Sequence, residues 1–166
     1  VDQARALYQQ AVAMVSRAEF FQALCDPYVL LQHPVEARPW HERALAAYLR
    51  SVDQGNAQYY YHHLASFYSD VRENPAEALR WARQDKATRH SVYACDTLAW
   101  ALYRNGDFAS AAGEITQALA LGTKDAHLLF HAGMIFSNAG QIERGGALLR
   151  QALAGNRRYN SFQMHP

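Results

Sequence analysis

"SVYACDTLAWALYRNGDFASAAGEITQALALGTK" (residues 91–124) and "DAHLLFHAGMIFSNAGQIERGGALLRQALAGNRR" (residues 125–158) carry one pattern twice. Aligned, Gly106 falls on Gly140, Phe108 on Ile142, Ile115 on Leu149 and Ala118–Leu119 on Ala152–Leu153, so the period is 34 residues. One period earlier, Leu64 falls on Leu98, Ala65 on Ala99 and Tyr68 on Leu102. A fixed period of this size marks units that bury their apolar faces only by stacking on a neighbour.

Each unit reads as two helices. In the middle one, Val92, Cys95, Leu98, Ala99 and Leu102 recur at helical spacing, and Gly106 ends the run as a left-handed cap would. Asp107 then caps a second helix whose apolar stripe is Phe108, Ala111, Ala112, Ile115, Ala118 and Leu119, closed by Gly122. In the preceding unit, Asn74 before Pro75 is an N-cap followed by a first-turn proline. With no strand pattern anywhere, the chain is expected to be all-α, with turns of the helix pairs near 70–75, 104–107 and 138–141.

These positions resemble the tetratricopeptide repeat family, whose units carry a large residue, Leu-Gly and an aromatic in the first helix and Ala-x3-Phe in the second. The match reads Tyr61, Leu64, Ala65, Tyr68 with Ala78 and Ala82, then Cys95, Leu98, Ala99, Leu102 with Ala111 and Ile115, then Leu129, Ala132, Gly133, Phe136 with Gly145 and Leu149. The small residues let paired helices approach closely. The family's large first position is only Cys95 in the middle unit, and its closing proline is missing. The resemblance implies a right-handed α-solenoid of antiparallel helix pairs, with repeats at 58–91, 92–125 and 126–158 and a tail at 159–166.

Residues 1–57 read as a degenerate N-terminal repeat. "ARALYQQAVAM" (4–14) and "RALAAYLRSVDQGN" (43–56) both resemble second helices of a repeat. The extra residues between them are expected to form an irregular loop in "CDPYVLLQHPVEARPW" (25–40), where Pro27, Pro34 and Pro39 exclude one continuous helix.

Composition narrows the function. Half of the 166 residues are hydrophobic and 19% are charged, the balance of a globular chain. A formal charge of +1 provides no field to attract nucleic acid or an acidic membrane, and no apolar run approaches the roughly 18–20 residues of a membrane span. Cys25 and Cys95, far apart and without zinc-type spacing, exclude a disulfide framework and leave a cytoplasmic and a periplasmic location both open. The opening residue, Val1, points to a processed form or a fragment, with a preceding signal peptide left open.

By the same resemblance, the second, fifth, ninth, twelfth and thirteenth residues of each repeat line a concave groove. The first repeat would offer Tyr59, His62, Ser66, Ser69 and Asp70, the second Tyr93, Asp96, Trp100, Tyr103 and Arg104, and the third His127, Phe130, Met134, Ser137 and Asn138. Equivalent residues of adjacent helices lie about 8–10 Å apart, so His62 is expected to face Asp96. Trp100 is expected at the groove wall, where its loss would weaken a partner and spare the fold. His63 and His131, beside the packing face, suit structural hydrogen bonds. His127 and His131 have a spacing that chelates metal, but "HLLFH" lacks the glutamate of HExxH and no third ligand is evident, so no metal or other cofactor is expected. A His62–Asp96 pair would lack a nucleophile, which argues against an enzyme.

The resulting expectation is a non-enzymatic protein-interaction module whose aromatic groove binds a peptide or helix of a partner, with Trp100, Tyr103 and Arg104 at its energetic centre. The alternative is an assembly or homo-oligomerisation domain of a larger protein. Some members of the family grip a C-terminal carboxylate through basic residues at the fifth and ninth places. Here those places hold His62, Ser66, Asp96, Trp100, Phe130 and Met134, with no lysine or arginine among them, which argues against that ligand.

Overall fold

The computed structural model describes residues 2–30 and 33–155, and every regular element among them is helical. The helices are α1 (Asp2–Met14), α2 (Ala18–Leu30), α3 (Pro34–Ser51), α4 (Tyr61–Ser66), α5 (Pro75–Thr88), α6 (Val92–Arg104), α7 (Phe108–Leu119), α8 (Ala126–Asn138) and α9 (Ile142–Gly155). Among the described residues two compact units form, one up to Tyr60 and one from Tyr61 onward. The tail expected at 159–166 and the last residues of the third repeat lie outside the described residues.

In the second unit the sequence signals act where they stand. Asn74, Ser91, Asp107 and Asp125 each cap a helix, their side chains accepting from the backbone N–H of Glu77, Ala94, Ser110 and both His127 and Leu128. Gly106 and Gly140, at φ of 80° and 83°, end α6 and α8 alike. The N–H of Asp107 returns to the Leu102 carbonyl at 3.0 Å and that of Gln141 to Phe136 at 2.8 Å, which satisfies carbonyls the helix end would leave bare. The equivalent of these glycines one period earlier is Arg72, which stays at φ −121°. Without a left-handed cap, α4 instead widens into π-type turns over Phe67–Val71.

α4 with α5, α6 with α7 and α8 with α9 form the packed pairs. Within each pair a connection of three residues joins the helices of α6–α7 and α8–α9, which forces them antiparallel. α6 also touches α4 on one side and α8 on the other, so the first helices form a layer with α6 at its centre. Leu98, Ala99, Ala111 and Ile115 are buried within the α6–α7 pair's repeat, and Leu64, Ala65, Ala78 and Ala82 in the one before. At α8–α9 the small residues matter most. A Cβ added to Gly145 would stand 2.7 Å from the Gly133 carbonyl oxygen and overlap the Ser137 hydroxyl, so the two backbones touch.

The first unit corrects the irregular loop expected over 25–40. Pro27 lies inside α2, which runs to Leu30, and Pro39 inside α3, which starts at Pro34. Pro34 opens α3, where a missing N–H costs nothing. An interior proline costs about 3 kcal/mol, but each fully buried large side chain returns about 1.5–3 kcal/mol. Leu24, Cys25, Ala37, Ala44 and Tyr48 are all buried, with the Tyr48 hydroxyl donating to Gln22 Oε1 at 2.7 Å. Packing of α2 on α3 thus offsets what the prolines remove.

Candidate functional site

Asp96, Trp100 and Tyr103 are spaced along α6 at a helical repeat, and α8 presents His127, Phe130, His131 and Met134 beside them. The two stripes meet as a stack of rings. Trp100 lies 4.0 Å from His131 with planes 13° apart, and 4.8 Å from Tyr103 at 16°. Phe130 tilts against Trp100 at 6.0 Å. The indole Nε1 donates to Asp70 Oδ1 at 2.9 Å, from the wide turn that ends the first helix of the preceding repeat.

Trp100 therefore corrects the expectation of an exposed groove wall. It is 6% exposed and joins the repeat before it to the repeat after it. The cause is its position: α6 has neighbours on both sides, so the five consecutive residues from Leu98 to Leu102 are all buried.

Asp96 is buried too, at 5% exposure. Its carboxylate, expected opposite His62, hydrogen-bonds His131 Nδ1 at 2.9 Å in the following repeat. His131 thus has the structural bond its place beside the packing face suggested. His62 is half-buried on α4, its ring 3.8 Å from that of His63. His127 stands beside His131 with ring centres 4.1 Å apart. Asp96, His127 and His131 each place a ligand-type atom so that all three lie within 4.8 Å of one another. The third group missing from the sequence reading of the histidine pair is this aspartate, contributed from one repeat earlier. Burial, and next the neighbouring His131, push the His127 imidazole down to about 4.

The other expected site residues are distributed differently. Tyr93 is 63% exposed, while Tyr103, Phe130, Met134 and Ser66 are half-buried. Asn138 Nδ2 donates to the Tyr103 hydroxyl at 3.3 Å. Arg104 pairs with Glu73 at 2.5 Å and so bridges to the turn of the preceding repeat. Tyr59 is exposed and belongs to the first unit. Among the described residues no helix is long and apolar enough to cross a membrane.

Helical hairpins recur every 34 residues, and first helices stack on first helices. The fold is tetratricopeptide-like. No protein-family model and no curated protein matches the chain. Among solved structures it is similar to the crystal structure of YrrB, described as a TPR protein with an unusual peptide-binding site, at 18% identity and a TM-score of 0.49, over 95% of this chain and 79% of that one.

Proposed function

We propose that the chain is a non-enzymatic protein-interaction module whose tetratricopeptide-like first-helix layer holds a peptide or helix of a partner protein. The supporting observation is the half-buried trio Tyr103, Phe130 and Met134, of which the two rings pack on the buried Trp100. Rings locked by stacking offer contact area at small entropic cost, and aromatic anchors dominate interface energies. The surface suits an apolar or aromatic anchor residue. The expected centre moves accordingly: Tyr103 and Phe130 replace Trp100 as contact residues, and Arg104, tied to Glu73, frames them.

Selection of a displayed peptide library on the full chain tests this. Bound peptides should lose at least about 2 kcal/mol of affinity when Tyr103 and Phe130 are both changed to Ala, the hot-spot threshold, or roughly thirtyfold. Tyr93→Ala serves as the control for exposed aromatic surface outside the trio. Unchanged binding in the double variant would refute the reading. A concentration-dependent dimer in light scattering that the same double variant dissolves would reassign the face to self-assembly.

A further inference from the structure

We propose that Asp96, His127 and His131 form a binding site for a transition-metal dication, zinc above all, that bridges two successive repeats. His127 and His131 are one helical turn apart on α8, which aims two imidazoles to the same side. Asp96 reaches them from α6, and the three ligand atoms lie within 4.8 Å of one another. On a tetrahedral zinc, ligands at about 2.0–2.2 Å stand roughly 3.3 Å apart, so a side-chain adjustment of about 1.5 Å or less completes the set.

The donor chemistry selects the ion. Two nitrogens and one carboxylate suit zinc and its borderline neighbours, whereas calcium and magnesium require six or more oxygens, largely from carboxylates and water. Three protein ligands leave a fourth tetrahedral position for water or a partner's side chain. Asp96 and His131 are both buried, and Trp100 lies flat on His131 at 4.0 Å, which holds that ring in place and keeps bulk water from one side. Because the ligands come from α6 and α8, bound metal would clamp the central and last repeats together.

The test uses the full chain purified without an affinity tag, stripped with chelator and titrated with zinc chloride alone. The expected result is saturable one-to-one binding at micromolar affinity or tighter in calorimetry, with a rise in melting temperature. Calcium and magnesium should give neither. His127→Gln, which leaves the Asp96–His131 bond intact, should weaken zinc by more than about 100-fold, beyond the 10–100-fold of outer-shell losses. His62→Gln and His63→Gln, which remove the adjacent pair on α4, should leave affinity unchanged. Absence of saturable binding overturns the proposal, as does binding that survives His127→Gln or disappears with His62→Gln and His63→Gln. Should His127→Gln fail to fold, the wild-type chain decides: cobalt must give the visible absorption of tetrahedral nitrogen–oxygen coordination, bleached by zinc, and an octahedral spectrum overturns the site.

Discussion

Trp100 shows how a single side chain can be assigned opposite roles by pattern and by packing. Its indole is stacked on His131 and Tyr103 and donates to Asp70, so truncation removes ring contacts and a hydrogen bond to the preceding repeat. Trp100→Ala should cost about 3–5 kcal/mol, the range for large aromatic truncations in a core, measured as a shift of the urea midpoint. A loss under about 1 kcal/mol would return it to the surface class. Asp85 provides a second test at this scale. It is fully buried on α5, with Oδ1 accepting from Arg89 Nε at 2.8 Å and Oδ2 without a hydrogen-bond partner among the described residues. Burial raises its carboxyl above the ordinary value, against the opposing pull of Arg89 and then His63. A raised carboxyl binds its proton more tightly in the folded state, so its contribution is most favourable below its unfolded value near 3.8 and declines as pH rises through the folded one. Asp85→Asn should therefore be at least as stable as wild type at pH 7, with its relative advantage shrinking toward pH 4 in urea unfolding.

Helix packing makes sharper demands than helix formation, and two adjacent glycines of α9 separate them. Gly146 has room: a Cβ there would meet only Arg150 Nη1, at an ordinary 3.5 Å. Gly146→Ala should stabilise by about 0.4–1 kcal/mol through the lower entropy of the unfolded chain. Gly145→Ala receives the same benefit but drives a methyl into the α8 backbone, where overpacking costs about 1–3 kcal/mol or more. The two substitutions should therefore move the denaturation midpoint in opposite directions, and equal effects would show that α8 and α9 do not approach as described. In the α6–α7 pair, Ile115 is fully buried, and Ile115→Ala should cost about 2–5 kcal/mol by the same measurement.

Across residues 61–155, repeats pack only on their neighbours, so stability is a sum of local and nearest-interface contributions. Gly145→Ala should consequently accelerate amide hydrogen exchange in α8 and α9 more than in α4 and α5. Uniform acceleration would indicate one cooperative block. At this scale the 34-residue register, the capping residues Asn74 and Asp107, and the glycine Gly106 with its aligned counterpart Gly140 were readable beforehand, whereas the Asp125 cap came only with the structure. Each acts through its own backbone or through helix periodicity, which needs no knowledge of neighbours. Residues 25–40 were misread because proline is a local penalty, while the burial of Leu24, Cys25 and Ala37 that outweighs it comes from α2 packing on α3. The site was misread for a related reason. Periodicity places Asp96 and Trp100 on a face of α6 but does not state that α6 has neighbours on both sides, nor which repeat supplies their partners. From residue 75 onward the sequence by itself determined the helices, their ends and their pairing, because those follow from spacing along one chain. Only the tertiary structure decided that Trp100 is core and that Asp96 meets His131 and His127, because side-chain partners across repeats depend on the offset between stacked helices, which no single-repeat pattern encodes.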